Sequence, residues 1–271
     1  MKTITTTTFT VLLLLMFSCK DKNILTTPEQ ASTQAAQDYL LVENSFLELG
    51  RVIEEGFLVN GMNKSSCPSY SLMNTDTSNI DTLLIDFGSN NCLYNGKLRR
   101  GKIIITYTGK YRDSLSVMRT SFDNYFVNEN LIQGIKKITN RGRNNDGNMW
   151  FSISIDSASI ITNNGSINWN SNNTREWVEG SETPLDFTDD KYLISGNSNG
   201  NGVNGNNFNT NSENLLLDFN CWPISCILTS GKTTIIPESY SERIIDYGDG
   251  DCDCEYSISI DNTTYPITVI D

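Results

Sequence analysis

The chain has no histidine among its 271 residues. That absence removes Ser-His-Asp and Cys-His catalysis, histidine zinc ligation and the usual proton switch near neutral pH. An enzyme built from this sequence would have to work with carboxylates, tyrosine or lysine, and the reading taken is that it is not an enzyme. Basic charge is also short: 20 Lys and Arg stand against 32 Asp and Glu, a formal net charge of −12. This balance argues against a nucleic-acid partner, because phosphate binding needs a basic face. It argues equally against direct docking on anionic lipid head groups. No apolar run approaches the ~20 residues that span a bilayer. A phosphate loop, a dinucleotide fingerprint and a metal-protease helix are all missing.

What is present starts at the N-terminus. Met1-Lys2 is followed by the apolar stretch Phe9-Thr10-Val11-Leu12-Leu13-Leu14-Leu15-Met16-Phe17, then Ser18 and Cys19. A basic start, a short apolar run and a small residue before a cysteine make an export signal. These residues resemble a bacterial lipoprotein precursor. The resemblance implies cleavage before Cys19, a diacylglycerol thioether on Cys19 and acylation of its new amino group. Residues 1–18 are then a signal peptide and residues 19–27 a polar tether. Met16 and Phe17 depart from the leucine and the small residue that the family prefers there. The alternative is a plain secretory peptide cut nearby, which leaves Cys19 as a free thiol. Three acyl chains, at ~0.8 kcal/mol per buried methylene, make a lasting membrane anchor.

Thr27-Pro28-Glu29-Gln30 reads as a helix start, with a hydroxyl N-cap, proline at the first helical position and glutamine closing a capping box. Ala35, Tyr39, Val42, Phe46, Leu49 and Ile53 follow at spacings of four, three, four, three and four. That is one apolar stripe on an amphipathic helix over residues 28–56, ending near Gly56. It is too short for sustained coiled-coil heptads, so it reads as the face that packs on a β core.

From about residue 80, runs rich in Ile, Thr, Tyr and Phe alternate with Gly, Asn and Asp turns, which predicts antiparallel sheet. Residues 102–108 form one such run, and 151–156 alternate strictly. Residues 256–260 and 265–269 flank Asp261-Asn262-Thr263-Thr264 as a closing hairpin. The stretch from Gly196 to Asn211 is almost all Gly, Asn and Ser, and reads as a long mobile loop or loose hairpin tip.

Seven cysteines less Cys19 leave an even number, and disulfides are natural in an exported chain. An internal repeat narrows the pairing. Ile85-Asp86-Phe87-Gly88 with Cys92 recurs as Ile245-Asp246-Tyr247-Gly248 with Cys252, and Ser66-Cys67 corresponds to Ser225-Cys226. The expectation is therefore Cys67–Cys92 and Cys226–Cys252, with Cys221–Cys254 as the third bond. A Cys252–Cys254 bond is sterically poor. The fold class that follows is mainly β: antiparallel sheets in two approximate copies, residues 57–180 and 181–271, sandwich- or roll-like, with the helix packed on them.

The Phe17-Ser18-Cys19-Lys20-Asp21 start, the Asn-rich β body and the segment Asn95-Gly96-Lys97-Leu98-Arg99-Arg100-Gly101 are similar to outer-membrane lipoproteins of the Bacteroidota. The resemblance implies an outer-membrane address, facing the periplasm or the cell surface, and brings no known activity. It also implies candidate O-glycosylation at Thr82, Ser114 and Ser157, each following an aspartate and preceding an apolar residue.

Among chemical candidates, Asp246, Asp249, Asp251 and Asp253 surround Gly248 and Gly250, and alternate carboxylates suit calcium. Cys254 and Ile260 break the EF-hand pattern, and Ser89, Asn90 and Asn91 occupy the matching positions of the first copy. A structural turn is preferred, with no cofactor. Glu176, Glu179, Glu182, Asp186, Asp189 and Asp190 offer paired carboxylates for glycoside hydrolysis, or a solvated acidic face. Trp169 and Trp177, in polar stretches, are candidates for stacking on sugar rings; Trp150 and Trp222 are weaker, and packing is the commoner use of tryptophan. The resulting expectation is a non-catalytic, lipid-anchored envelope protein with a structural or ligand-binding role and a glycan or envelope-protein partner. The alternatives are a carbohydrate-binding accessory of polysaccharide uptake and a carboxylate-dependent glycan hydrolase.

Overall fold

The structure, a computed structural model, describes residues 28–59, 67–73, 80–183, 186–221 and 226–268. The signal segment 1–18, Cys19, the tether 19–27 and Trp222 lie outside the described residues. One helix, α1 (Pro28–Leu58), precedes β1 (Ser69–Met73), β2 (Asp81–Asp86), β3 (Cys92–Tyr94), β4 (Lys97–Thr108), β5 (Val117–Val127), β6 (Asn130–Arg143) and β7 (Met149–Thr162). There follow β8 (Gly165–Glu179), β9 (Lys191–Asn201), β10 (Asn207–Asp218), β11 (Leu228–Pro237), β12 (Arg243–Asp249), β13 (Glu255–Ile260) and β14 (Thr263–Thr268). They form one antiparallel sheet in chain order, with β3 set beside β4. The mainly antiparallel class with an N-terminal helix is as the sequence predicts.

The sheet is curled around the helix. Among residues 33–58 only Gln37 and Leu58 are exposed. Beyond the predicted stripe, Ala36, Leu40, Glu43 and Val52 are buried as well. Strands from both ends of the sheet reach the same helical turn: Lys97 and Arg99 of β4 meet Glu48, and Leu228 and Tyr256 of β11 and β13 line a crevice with Glu48 and Arg51. Fourteen strands are more than an open twisted sheet of about ten carries without curling. Bulges supply the bend. In β7 the inward residues are Met149, Phe151, Ile153 and Ile155, then Ala158 and Ile160; Ser157, at φ 51°, absorbs the switch of parity. Asn214 does the same in β10. Outward positions of β8 are Asn168, Asn170 and Asn172, so the convex face is polar, and no described helix is long and apolar enough to cross a membrane.

Several expectations need correction. The helix runs on to Leu58, and Gly56 is a packing residue, not its end. A Cβ there would lie 3.1–3.2 Å from Leu83, Ile85 and Tyr70, so glycine lets the helix lie against β1 and β2. The segment 196–211 is ordered ladder in β9 and β10 with a short turn between. Its inward side chains are Phe208 and the hydroxyls Ser198 and Thr210, which bond to each other across strands; farther along β10, Ser212 bonds Thr233 and Tyr39 of the helix. Hydroxyl pairing replaces the apolar alternation on which strand prediction relies.

The two copies are not resolved as separate units, because β8 and β9 pair straight across residue 180. Their likeness is local. In both, the aspartate accepts the glycine amide (Asp86 from Gly88, Asp246 from Gly248) and faces a cross-strand lysine, Lys102 or Lys232.

Cys67–Cys92 forms as expected. The other two bonds are exchanged relative to expectation: Cys221 pairs with Cys252, and Cys226 with Cys254. The start of β13 lies beside the start of β11, where Tyr256 donates to the Leu228 carbonyl at 2.9 Å. Cys254, next to β13, therefore meets Cys226, next to β11, and Cys252 is left for Cys221.

Partial reduction with stepwise alkylation should recover Cys221 linked to Cys252; a Cys226–Cys252 peptide would contradict the fold at this corner. Arg99→Met leaves the Glu48 carboxylate short of its buried partner. Urea unfolding should show a loss of about 3–5 kcal/mol.

Candidate functional site

The helix carries five acids into the interior, and the surrounding chain sets a donor or a cation against four of them. Val203 N donates to Asp38 at 3.0 Å. Glu43 faces Lys136, whose ammonium donates to the Phe46 carbonyl at 2.7 Å. Burial pushes Glu43 up to about 7 and Lys136 down to about 8, each partly offset by the other. Glu48 meets Lys97 at 2.9 Å and also Arg99; burial works against its charge, but the two cations prevail and hold it below the usual carboxylate range. Glu55 accepts from Tyr94 and Asn95. Glu54 is different. Burial raises it, Arg175 and Arg112 oppose that at a distance, and no described residue reaches it with a hydrogen bond or ion pair.

Glu54 lines a cavity of about 320 Å³ at the C-terminal end of α1. Phe57 comes from the helix, Leu72 from β1, Tyr107 from β4, Val117 and Met118 from β5, Ile138 from β6 and Phe151 from β7. Tyr111 stacks on Phe151 at 4.8 Å, and Phe57 meets Tyr107 edge-on at 5.2 Å. The loop between β4 and β5 forms one wall and is pinned. Asp113 accepts the Lys110 amide at 2.8 Å, and the Leu115 amide donates to the Asn140 carbonyl at 3.0 Å.

Behind the cavity lies a void of about 30 Å³ walled by Glu54, Lys136, Arg175 and Asp190. The Arg175 guanidinium sits 4.6 Å from the Tyr192 ring centre and 5.2 Å from that of Phe151, and among the described residues its Nε has no hydrogen-bond partner. Asp190 accepts from Trp177 Nε1 and the Tyr192 hydroxyl, both at 3.1 Å. Burial pushes its carboxyl up to about 7 against the help of the Tyr192 bond.

The residues singled out in the sequence fall elsewhere. Trp169 is 1% and Trp177 3% exposed, so neither offers a ring to a sugar. Trp169 packs on Phe46, and Trp177 lies under the Arg112 guanidinium at 4.4 Å. Their polar neighbours alternate onto the outer face of β8, which is why the stretch looked exposed. Trp150 is half-buried. Asp246 is engaged with Lys232, Asp253 caps the Glu255 amide, and among the described residues no three acidic or cysteine side chains converge as a metal site would require. Asp249 and Asp251 lie exposed at the turn beside them. Glu176 accepts from Asn144 and Asn148, Glu179 pairs with Lys191, and Asp189 accepts from Thr183. Ser114 and Ser157 are exposed, whereas Thr82 is half-buried within β2 between two strands.

No family model, curated protein or solved structure matches this chain. The site therefore rests on geometry alone. Glu43 and Glu54 escaped the sequence reading, although their spacing of eleven residues puts both on one helical face beside the apolar stripe. That spacing was the available signal. The loop and strand walls of the cavity had none.

Asp190 yields a pH test. Its folded value is raised, so the folded chain holds a proton that the unfolded chain releases near pH 4. Its contribution to stability thus falls as pH rises from about 4 through 7, and levels off above. Asp190→Asn removes that dependence, so its stability relative to wild type should rise between pH 5 and 8 by roughly 1–2 kcal/mol, allowing for solvent screening. Urea midpoints at the two pH values measure this. An unchanging difference would count against a buried, proton-holding Asp190.

Proposed function

We propose that the chain is a non-catalytic, lipid-anchored protein of the outer membrane that holds a small ligand with a largely apolar body inside its curled sheet. The observation that carries this reading is the cavity of about 320 Å³, walled by aromatic and aliphatic side chains at the end of an otherwise filled interior. Its volume lies in the range of small-molecule sites, which are mostly apolar with a few placed polar groups. The lipoprotein-like start supports the address. Cys19 stands a short tether before Pro28, and the helix carries the chain about 39 Å from Pro28 to Glu54. The cavity is thus at the opposite end of the helix from the acyl chains, and its ligand arrives from the side away from that membrane.

The alternatives have less support. A carbohydrate-binding accessory needs exposed aromatic rings, and Trp169 and Trp177 are buried. A glycan hydrolase needs two carboxylates facing each other across a cleft, roughly 5–9 Å apart, whereas the acids of residues 176–190 are engaged with separate local partners.

Titration with the neutral fluorophore N-phenylnaphthylamine tests the reading. The protein should bind one equivalent saturably. Val117→Trp, which fills the cavity, should weaken binding at least tenfold with little change in melting temperature. Equal binding by the variant, or none by wild type, would end the proposal. Mass spectrometry of the native N-terminus tests the anchor: an unmodified terminus away from Cys19 would remove it.

A further inference from the structure

We propose that the ligand of this cavity is an amphipathic organic cation, an aliphatic or aromatic body bearing a protonated amine that Glu54 receives. The inference rests on the reading of the cavity as a binding site and adds the chemistry of the occupant.

The first argument is an inventory of the wall's polar groups. Thr108 Oγ1 accepts the Val117 amide at 3.1 Å, and Ser116 Oγ donates to the Tyr111 carbonyl at 3.3 Å. Asn140 donates to the same carbonyl at 3.0 Å and accepts the Gly142 amide at 2.7 Å. Each of these groups is occupied by the protein itself. Two groups are left over: the buried Tyr111 hydroxyl, without a partner among the described residues, and the Glu54 carboxylate, which receives no hydrogen bond or ion pair from any described residue and is the one of the two that carries charge. Asp38, Glu48 and Glu55 on the same helix have such partners, and Glu43 has the Lys136 charge facing it although its Oε2 is left without a hydrogen bond among the described residues. A carboxylate half-buried beside apolar groups and left without a donor costs free energy, and an incoming donor recovers it. A charged donor recovers more than a neutral one.

The second argument is the aromatic lining. Phe57, Tyr107, Tyr111 and Phe151 line the same space. The negative faces of such rings favour cations, and desolvation strengthens that attraction. Arg175 already uses the Phe151 and Tyr111 rings from behind, at 5.2 and 5.7 Å. Arg175 and Arg112 also act on Glu54, but burial outweighs both, so the carboxylate still favours gaining positive charge. Lys110 stands at the cavity's edge, exposed, where salt screens it. The net charge of −12 favours the approach of cations as well. A carboxylate ligand would face Glu54 without a buried cation on the cavity wall.

Three probes sharing one tail separate the charge claim from the binding claim: octylamine, octanol and octanoate, each titrated calorimetrically into the intact protein. Octylamine should bind at least tenfold more tightly than octanol, and octanoate most weakly. Glu54→Gln should erase the amine's advantage and leave octanol within twofold of its wild-type affinity. Phe57→Leu, which keeps the carboxylate, should weaken octylamine about threefold more than octanol. If octanol binds at a site that Val117→Trp blocks but the amine has no advantage, or keeps it in Glu54→Gln, the cation inference is wrong while the cavity remains a binding site. Preference for octanoate overturns it too. Failure of all three probes to bind overturns both.

Discussion

An acidic helix enclosed by a sheet is the constraint on which everything else here depends. α1 would be an ordinary amphipathic surface helix if only its apolar stripe were covered, with its acids left in water. Instead the sheet closes over the polar side as well, and charged groups must be matched where they are buried. Lys136 is set opposite Glu43, Arg99 and Lys97 opposite Glu48, and Tyr94 and Asn95 opposite Glu55. Buried ion pairs are weak evidence for net stability, since apolar residues of equal volume often do as well. Their stronger contribution here is register. Each pair forms only at one rotation and one height of the helix inside the curl.

That register decides where space is left over. Gly56 draws the last turns of the helix against Leu83, Ile85 and Tyr70 of the first strands. The remaining side of those turns faces β4 to β7, where Phe57, Tyr107 and Phe151 line the wall without filling it. Glu54 falls on this unfilled side, where no described residue reaches it with a hydrogen bond or ion pair. The cavity and its free carboxylate are two results of one helix placement. The packed hydroxyls at the other end, Tyr39 with Ser212 and Thr233, show that the same sheet can close tightly on polar residues.

Legibility varied by element for physical reasons. The strands of residues 102–108, 151–156, 256–260 and 265–268 were readable from runs of β-branched and aromatic residues, and alternation in 151–156 records which side chains face inward. The closing hairpin was equally clear, and its turn residues Asp261 and Asn262 take the positive φ values, 47° and 68°, that such a two-residue turn requires. β9 and β10 were missed because Gly, Asn and Ser carry no apolar period, although their hydroxyls alternate inward. The tryptophans misled in the opposite direction: the polar residues around Trp169 and Trp177 occupy the outer face, while the rings occupy the inner one. The repeat around Gly88 and Gly248 was real as local geometry, yet the cysteines beside it follow strand adjacency and not sequence spacing.

The amino-acid sequence alone determined the helix and its stripe, the antiparallel β class, the even set of six pairable cysteines and the exclusion of histidine chemistry. These properties are written in residue types and in periods of a few residues. Tertiary structure alone decided which cysteines pair at the C-terminal corner, which acids are buried and what answers them, and where the cavity opens. Each of those depends on how twist and bulges sum over fourteen strands. Only that sum brings Glu54 to Phe151, or Cys221 to Cys252, and no local stretch of chain contains it.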